Sequence, residues 1–584
     1  MTKTFEYMKP YAWMIAVAAV LLSLEAYLAL VLPSFMANIL NDGVLVGHLP
    51  VIWRNGAIML GITVLSMIVA IIAGYFAART SAGTANDLRE AVFKKVLSFS
   101  SAEVNRFTTS SLMTRTTNDI MQVQNALMMA IRLFIYSPLL GIGGIVRATG
   151  RNTTLTWVVA IATVVMILAM AAIFFVVLPK FNNLQNLVDR LNLVSRENLS
   201  GVLIVRAFNT QKFEKKRFGK ANKDLADTTR FIGQTFAFMT PTLMLVLNLT
   251  TAAIVWVGAR EASAFRADIG DIFAFLQYGM LIIFAFLMIA VMFVMLPRAV
   301  VSAGRIQEVL ETDGSILYKE DPVRLAANIN GTLEFRGVDF RYPDAQEGDE
   351  DVLTNINFVA KPGETTAIIG STGAGKSSLF KLILRFFDVT GGGIYLDGVD
   401  VRDIHKEDLH NHIGYVPQKA MLFAGTIQSN LLYADKNATE EHIRQAVETS
   451  QSTTFIAEKE EGYDSNVAQG GANFSGGQRQ RLSIARALVK NARIYLFDDS
   501  FSALDVKTDA LLRAALKDKM KDRTIIVIAQ RVSSIMDADQ IVVLDQGTIV
   551  GLGTHRQLLK NCNVYREIAE SQLTADEMGG AADV

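Results

Sequence analysis

Long apolar runs fill the first half of the chain and are separated by polar segments. A helix that crosses the hydrocarbon core of a bilayer needs roughly 20 apolar residues. Runs of this length occur at 13–32, 57–78, 155–178, 231–257 and 272–296, and a shorter one, which contains Pro138, occurs at 133–146. If the short run pairs with 155–178 as a tight hairpin, the chain has six membrane-spanning helices and both its ends lie on the same side.

Positive charge is distributed unevenly between these runs. The segments 79–130 and 179–230 carry six and eleven Lys or Arg residues, whereas the three loops on the opposite side carry five together. Because cytoplasmic loops are enriched in Lys and Arg, the two long segments, both termini and everything after the last span are predicted to be cytoplasmic. Both segments have helical periodicity. Their expected turns, at 102–107 and 207–213, either contact the following domain or serve only helix packing.

One charge lies inside a predicted span. Glu25 interrupts the first apolar run, and a carboxylate at that depth is costly unless it faces a bundle interior or a water-filled cavity. Two interpretations are open for this residue. Glu25 could contact a cationic substrate, or it could form a structural hydrogen bond to a neighbouring helix.

The second half of the chain changes to short strands and turns, and its central feature is a glycine-rich loop. An apolar run precedes the loop and a helical pattern follows it, which is the context that the phosphate-binding pattern G-x-x-x-x-G-K-[ST] requires. The predicted binding residues are Gly370, Ser371, Thr372, Gly373, Ala374, Gly375, Lys376, Ser377 and Ser378. Glycines let backbone N–H groups turn toward a phosphate chain. Lys376 is expected to reach the β- and γ-phosphates, and Ser377 to bind Mg²⁺.

Two further stretches suit a nucleotide site. The apolar strand 493–498 ends in Asp498, and phosphate-loop enzymes hold Mg²⁺ with an Asp at such a position. Between the loop and this strand, a Ser-Gly-Gly-Gln stretch at 475–478 opens a helix whose N-terminus can bind an anion. Since the chain already has one phosphate loop, this second anion site could serve a nucleotide that a partner holds.

Composition narrows the classes of function. The 584 residues have a formal net charge of zero, which gives no support for nucleic acid as a partner. The single cysteine, Cys562, excludes an internal disulfide framework and a multi-cysteine metal site. The six histidines are scattered without a spacing that is typical of metal ligands.

These motifs, in this order, resemble those of the ATP-binding cassette transporters, and the resemblance covers essentially the whole chain. It implies that Tyr342 stacks on adenine. It also implies that Gln418 joins Ser377 and Asp498 around Mg²⁺ and takes part in hydrolysis. In this family two cassettes enclose two ATP molecules. The residues that would act on the ATP of the opposite chain are Ser475, Gly476, Gly477, Gln478 and Asp505.

Two positions depart from the family pattern. The residue after the magnesium-binding Asp498 is normally Glu, the base for the attacking water, but here it is Asp499, which is one methylene shorter. The switch residue, normally His, is Gln530, which cannot become a cation. Because misplacing a base by about 1 Å can lower a rate on the order of 10²-fold, we expect this chain to bind ATP but to hydrolyse it slowly. The alternative is a tolerated variant in which Asp499 acts as the base.

The signature at 475–478 is intact, although Phe474 precedes it where Leu is usual. It should therefore serve the site of a partner. This asymmetry resembles the degenerate-site subunit of bacterial heterodimeric multidrug exporters. The resemblance implies ATP and Mg²⁺ as cofactors, a second homologous half-transporter as partner, and a position in the lipid bilayer of the bacterial plasma membrane. The exported compounds would be hydrophobic or cationic, either drug-like or lipid-like.

The predicted architecture is an α-helical six-span transmembrane domain of the exporter type at 1–310, a linker at 311–330, and an α/β phosphate-loop ATPase domain at 331–584. A homodimeric exporter with two slow sites is an open alternative. So is a nucleotide-gated channel or regulatory membrane receptor, in which ATP binding alone does the work. A soluble cassette protein for translation or repair is disfavoured by the six spans.

Overall fold

The computed structural model describes residues 6–326, 328–345, 348 and 350–574, which form two compact units. The first unit comprises the chain up to Leu97 together with Ser110–Thr312, and the second comprises Ser98–Thr109 together with the chain from Asp313 onward. Residues 1–5 and 575–584, at the ends of the predicted domains, and residue 327 of the predicted linker lie outside the described part. The domain boundaries at 310 and 330 stay predictions.

Helices occupy the chain up to the first strand. They are α1 (Ala12–Asn38), α2 (Leu49–Ser98), α3 (Ser101–Phe107), α4 (Thr109–Thr114), α5 (Ile120–Thr149), α6 (Thr153–Ser200), α7 (Val202–Ala207), α8 (Gln211–Ala237), α9 (Met239–Ser263) and α10 (Ile269–Glu311). Short 3₁₀ or π-helical turns at Lys9–Tyr11, Ile39–Val44 and Arg115–Asp119 extend α1 at both ends and join α4 to α5.

Six of the described helical segments are long and apolar enough to cross a membrane. They are Lys9–Val44, Leu49–Ser98, Thr109–Thr149, Thr153–Ser200, Gln211–Ser263 and Ile269–Ile289. The six predicted spans are thereby confirmed. The short apolar run around Pro138 lies within α5, which continues well beyond the run on its N-terminal side, so the apparent shortage of length disappears.

The connection between α5 and α6 is the tight hairpin that the sequence predicts. Asn152 caps α6, because its side-chain oxygen accepts a hydrogen bond of 3.0 Å from the backbone N–H of Leu155. Arg151 is one of the five Lys or Arg residues in the loops opposite the two long segments, and it forms an ion pair with Asp271 at the start of α10. An intramolecular partner therefore neutralises a positive charge on the side of the membrane where Lys and Arg are sparse.

The first predicted tip differs from the expected turn at 102–107, because the structure has helix α3 there. Ser100 and Glu103 form a capping box, in which the Ser100 N–H donates to Glu103 Oε2 at 2.7 Å and the Ala102 N–H donates to Ser100 Oγ at 3.1 Å. A capping box satisfies the first N–H groups of a helix, so these residues become helical. The second tip, predicted at 207–213, has a turn at 208–210 between α7 and α8.

The second unit contains the strands and the remaining helices. The strands are β1 (Leu333–Phe340), β2 (Leu353–Ala360), β3 (Thr365–Gly370), β4 (Gly391–Leu396), β5 (Val399–Asp400), β6 (Ile413–Val416), β7 (Gly425–Thr426), β8 (Asn466–Val467), β9 (Ile494–Asp498), β10 (Thr524–Ile528), β11 (Gln540–Asp545) and β12 (Thr548–Gly553). The helices are α11 (Lys376–Ile383), α12 (Lys406–Asn411), α13 (Ile427–Leu431), α14 (Glu440–Thr449), α15 (Thr453–Ala457), α16 (Gly476–Val489), α17 (Val506–Lys519), α18 (His555–Asn561) and α19 (Asn563–Glu570).

A six-stranded sheet in the order β12-β11-β3-β10-β9-β6 forms the centre of this unit. Its strands are parallel except for β12, which is antiparallel to β11. A four-stranded antiparallel sheet, β2-β1-β4-β5, and the β7-β8 pair complete the strands. In parallel sheets ligands bind beyond the carboxyl ends of the strands, and here these ends lead into the glycine-rich loop, Gln418, Asp499 and Gln530.

The central sheet is buried on both faces. Along β3, Ala367 and Ile369 pack into one apolar cluster, and Ile368 between them packs into the other. Phe497 and Leu496 of β9 divide in the same way. Parallel strands that are covered on both faces have continuous apolar sequences. This is why the strands before the glycine-rich loop and before Asp498 are recognisable in the sequence.

Candidate functional site

The glycine-rich loop connects β3 to α11 and depends on glycine at three points. Gly373 and Gly375 have φ values of 88° and 91°, which are in the left-handed region that favours glycine. At Gly370 a Cβ would lie 2.0 Å from the backbone oxygen of Leu544, so only glycine fits against β11. The loop thus has the backbone freedom and the close strand contact that a phosphate-binding turn needs.

Lys376 is the first residue of α11, and its side chain folds back over the loop. Its Nζ donates hydrogen bonds to the backbone oxygens of Gly370, at 2.8 Å, and Ser371, at 2.7 Å. Burial lowers the pKa of the ammonium group, although the nearby carboxylates of Asp499 and Asp498 oppose this effect. The ammonium therefore lies at the mouth of the loop, where it can exchange carbonyl oxygens for phosphate oxygens.

Ser377 and Asp498 form a pair of oxygen ligands beside the loop. The Ser377 hydroxyl donates to Asp498 Oδ1 at 3.0 Å, and Asp498 is 6% exposed. Burial is the largest cause that raises the pKa of Asp498, and the Ser377 hydrogen bond acts against it. A hydroxyl and a buried carboxylate side by side are the hard oxygen donors that Mg²⁺ prefers. These residues fit the predicted metal site.

Asp499 is held by the two glutamines that the sequence places in the same site. Its Oδ2 accepts hydrogen bonds from Gln530 Nε2 at 2.7 Å and from Gln418 Nε2 at 3.2 Å. Asp499 itself has a φ of 47°, which is unusual for a residue with a side chain, and is 8% exposed. The structure thus brings Lys376, Asp499, Gln418 and Gln530 together around the ends of four adjacent parallel strands.

Tyr342 lies beside the same loop. Its ring is packed edge-on against Phe340 and Phe387, with centroid distances of 4.8 and 5.2 Å. Its hydroxyl is 2.8 Å from Ser378 Oγ, and Lys381 Nζ donates to it at 3.2 Å. The adenine-stacking role of Tyr342 stays a prediction. Lys381 did not figure in the sequence prediction, since no motif position marks it.

The predicted trans-acting residues lie on α16 and at the start of α17. Ser475 caps α16, because the N–H of Gln478 donates to Ser475 Oγ at 3.2 Å while the N–H of Ser475 donates to Gln478 Oε1 at 3.0 Å. A side chain added at Gly476 would meet open space, whereas one at Gly477 would lie 3.4 Å from the backbone oxygen of Ala503. The signature therefore lies beside the 502–505 loop, with its first glycine accessible.

Asp505 caps α17, and its role toward a partner stays a prediction. The N–H of Thr508 donates to Asp505 Oδ1 at 3.0 Å, and the hydrogen bonds from Thr508 lower the pKa of Asp505. This cap fixes the N-terminus of α17 at the end of the loop that follows Asp499. Both trans-acting candidates are thus built from helix caps, and Asp505 follows β9, the strand that supplies the metal-binding candidate Asp498.

The first tip was expected either to contact the following domain or to serve only helix packing, and within the second unit α3 contacts the chain after α10 at a residue that the sequence did not indicate. Glu103 Oε1 accepts a hydrogen bond of 2.9 Å from the backbone N–H of Ser315, and the hydroxyls of Ser100 and Ser315 are 2.8 Å apart. Glu103 is 6% exposed. The capping-box pattern at Ser100 and Glu103 was the available signal for the helix, but no sequence signal marks Ser315.

Comparison with known proteins decides the family. Residues 14–287 match the family model described as the ABC transporter transmembrane region, and residues 353–502 match the model described as ABC transporter. The chain belongs to the ABC transporters. It is a half-transporter, with an exporter-type transmembrane domain followed by one ATP-binding ATPase domain, and it couples ATP hydrolysis to transport. ABC exporters work as dimers in a lipid bilayer, so this chain is a membrane protein that acts with a second chain.

Relatives match along almost the whole length of this ABC transporter. An uncharacterised ABC transporter ATP-binding protein of Mycobacterium tuberculosis is 40% identical over 98% of each chain. The ATP-dependent lipid A-core flippase of Pseudomonas aeruginosa is 32% identical, over 96% of this chain and 94% of the flippase. A solved structure of a bacterial Atm1-family ABC exporter with ATP bound has a TM-score of 0.76 at 23% identity, over 96% of this chain and 98% of that chain. This structural similarity confirms the predicted fold.

Proposed function

We propose that this chain is the degenerate-site half of a heterodimeric ATP-driven exporter in the bacterial plasma membrane. Its termini and ATPase domain lie in the cytoplasm, and its substrates are hydrophobic or amphipathic compounds. The observation that carries the proposal is the pair of amide hydrogen bonds that Asp499 accepts from Gln530 and Gln418. A carboxylate that is short by one methylene and held by two amides is poorly placed to take a proton from water.

At its own site, this chain holds Mg-ATP for long periods. Tyr342 would stack on the base, Lys376 would bind the phosphate chain, and Ser377, Asp498 and Gln418 would hold Mg²⁺, which would supply positive charge beside the phosphates. Gln530 donates its hydrogen bond to Asp499 and has no imidazole that could donate one to the γ-phosphate. The site therefore retains nucleotide and keeps the two cassettes close together.

At the partner's site, this chain supplies the signature. The capped N-terminus of α16 presents backbone N–H groups at Gly476 and Gly477, and a helix N-terminus favours an anion. Ser475 and Gln478 fix that terminus through the capping box, and Asp505 fixes the neighbouring α17. A partner that carries the usual Glu and His would complete this site, and its hydrolysis would drive the switching of the spans.

The substrate class rests on two observations. The similarity to a lipid A-core flippase favours an amphipathic, lipid-like compound. Glu25 is 7% exposed in the first span, and its Oε2 has no hydrogen-bond partner in the described part of the chain. An unpaired carboxylate at membrane depth favours a substrate that brings positive charge.

The test is ATP hydrolysis and transport by the chain purified with its candidate partner. Asp499→Ala should leave most of the activity, whereas Glu→Gln at the partner's catalytic position should abolish it. Asp522→Ala, an exposed carboxylate on the same unit, is the matched control. Loss of turnover on Asp499→Ala alone would mean that Asp499 is a working base. Full activity of this chain as a homodimer would refute the heterodimer, and ion conductance without uphill transport would favour a channel.

A further inference from the structure

The membrane unit contains two opposite charges that do not pair with each other. Glu25 lies on α1 and Arg132 lies on α5. Within residues 6–326, neither side chain forms an ion pair within 4.0 Å, and the Glu25 Oε2 atom is buried without a hydrogen-bond donor. An unpaired buried charge is among the most costly arrangements in a protein interior, so a partner that is absent from the chain itself is expected.

The packing of α1 against α5 places Glu25 at the level of Tyr136. Leu22, one turn before Glu25, packs into one apolar cluster, and Ala26, the next residue, packs into another. Tyr136 of α5 contacts both clusters. Glu25 therefore lies between the two clusters and faces the stretch of α5 that contains Tyr136.

Arg132 lies one helical turn before Tyr136, and residues four apart share a helix face. It is exposed, and its neighbour Ile131 packs into the same cluster as Leu22 of α1. At 1.5 Å per residue Arg132 lies about 25 Å below Thr149 at the outer end of α5. Glu25 lies roughly 28 Å below Val44, where the helical segment that contains α1 ends. Both depths fall within the roughly 30 Å of the hydrocarbon layer.

We propose that Glu25 and Arg132 form the head-group site for a zwitterionic amphiphile. The ammonium of the ligand pairs with Glu25 beside the Tyr136 ring, and its phosphate or other anionic group pairs with Arg132. A simple cation would be repelled by Arg132 and a simple anion by Glu25, so only a ligand with both charges pairs with both residues. The inference rests on the proposed export function and names the substrate class of that function.

The orientation of the ligand follows from the packing of α1 on α5. Arg132 lies toward the cytoplasmic side of Glu25, because it precedes Tyr136, which is at the level of Glu25, on a helix that runs outward to Thr149. The anionic group of the bound ligand would thus lie on the cytoplasmic side of its ammonium group. Aromatic rings attract cations over their faces, which gives Tyr136 a positioning role between the two charges. Glu25 is 7% exposed, so the ligand reaches its carboxylate only in a conformation in which α1 and α5 move apart.

The experiment measures stimulation of ATP hydrolysis by the purified transporter in nanodiscs. The probes share a dodecyl chain: dodecylphosphocholine is zwitterionic, dodecyltrimethylammonium cationic, dodecyl phosphate anionic and dodecyl maltoside neutral. The half-maximal concentration for the zwitterion should be lower by about tenfold, which corresponds to about 1.4 kcal/mol, since only the zwitterion pairs its charges with both residues. Glu25→Gln should remove the preference over the anion, and Arg132→Gln the preference over the cation.

Two charge-neutralising variants at exposed positions, Glu6→Gln and Arg54→Gln, serve as controls and should keep the wild-type order of probes. The head-group site is refuted if Glu25→Gln and Arg132→Gln shift all four probes equally, or none. Should Glu25→Gln lower stability, Arg132→Gln at the exposed position still gives the decisive comparison. If all four probes stimulate ATP hydrolysis equally in every variant, only this inference fails. If, in addition, the same transporter in sealed vesicles moves none of the probes against a gradient, the proposed export function fails as well.

Discussion

The amide hydrogen bonds to Asp499 predict that two substitutions together, and neither alone, restore fast hydrolysis at this site. Asp499→Glu returns the missing methylene, but the longer carboxylate would still meet the Gln530 amide. Gln530→His removes that amide and supplies an imidazole. The perturbation therefore combines Asp499→Glu and Gln530→His, and the two single variants are its controls.

The magnitude follows from the distances of 2.7 and 3.2 Å from the Gln530 and Gln418 amides to Asp499 Oδ2. The double variant removes only the Gln530 amide, because Gln418 stays in place. A hydrogen bond to a charged group contributes about 1.5–3 kcal/mol, and each 1.4 kcal/mol corresponds to about a tenfold change in rate, so the Gln530 contact slows the site by about 10–10²-fold. Returning the missing methylene to the base adds a gain on the order of 10²-fold.

The assay isolates this site by combining each variant with a partner whose catalytic Glu is changed to Gln. Single-turnover hydrolysis of bound, radiolabelled ATP then reports only the phosphate loop of this chain. The double variant should be faster than wild type by about 10²-fold or more, and each single variant should gain less. The reasoning is refuted if the wild-type site already turns over as fast as the double variant. It is also refuted if Asp499→Glu alone gives the whole gain, because the hydrogen bond from Gln530 would then not limit the rate of hydrolysis.

Three further predictions concern other contacts. Tyr342→Ala should weaken ATP binding by about tenfold or more, since base stacking contributes roughly 1–3 kcal/mol, whereas Tyr342→Phe should bind ATP nearly as wild type does. Equilibrium binding of a fluorescent ATP analogue measures both affinities, and an equal loss of affinity in the two variants would contradict the stacking role. Gly477→Asp should lower overall hydrolysis on the order of tenfold, because the new carboxylate repels the phosphates of the partner's ATP. Nucleotide should stay bound at this chain's own loop, which photolabelling measures, and loss of that nucleotide would count against a role of Gly477 at the partner's site. Glu103→Ala should lower the thermal unfolding midpoint of the second unit at pH 7, because hydrogen bonds from Ser100 and Ser315 outweigh burial and lower the Glu103 pKa. A carboxyl with a lowered pKa stabilises the fold above its ordinary pKa of about 4.3, so the difference in midpoint between wild type and variant should shrink as the pH falls through the folded pKa. A difference that does not depend on pH would contradict this.

Much of the nucleotide site could be predicted because its signals are local. The apolar strands before Gly370 and Asp498 are continuous runs, and the loop between β3 and α11 has glycine where the backbone needs it. The spacing of these motifs gave the order of the elements. Their assembly into one site follows from parallel strands that end at one edge of a sheet.

The contacts between distant residues could not be predicted, because they depend on side-chain geometry. Nothing local indicates that Gln530 and Gln418 converge on Asp499, or that Arg151 pairs with Asp271. The first tip, at 102–107, was a different case. Ser100 and Glu103 carry a recognisable capping pattern, so the helix at α3 could have been predicted in place of a turn.

The capping of α16 bears on how such a chain can evolve. Ser475 is satisfied by Gln478 within its own helix, whereas Asp499 is bonded to Gln530 and Gln418. Because the two sets of side chains share no member, substitutions in one need not disturb the other. After a gene duplication, one copy could lose its base while keeping its signature, and the other copy could drift in the opposite sense. Each copy would then depend on the other for the residues that it has lost. Neither copy could return to a symmetric ancestor by one substitution.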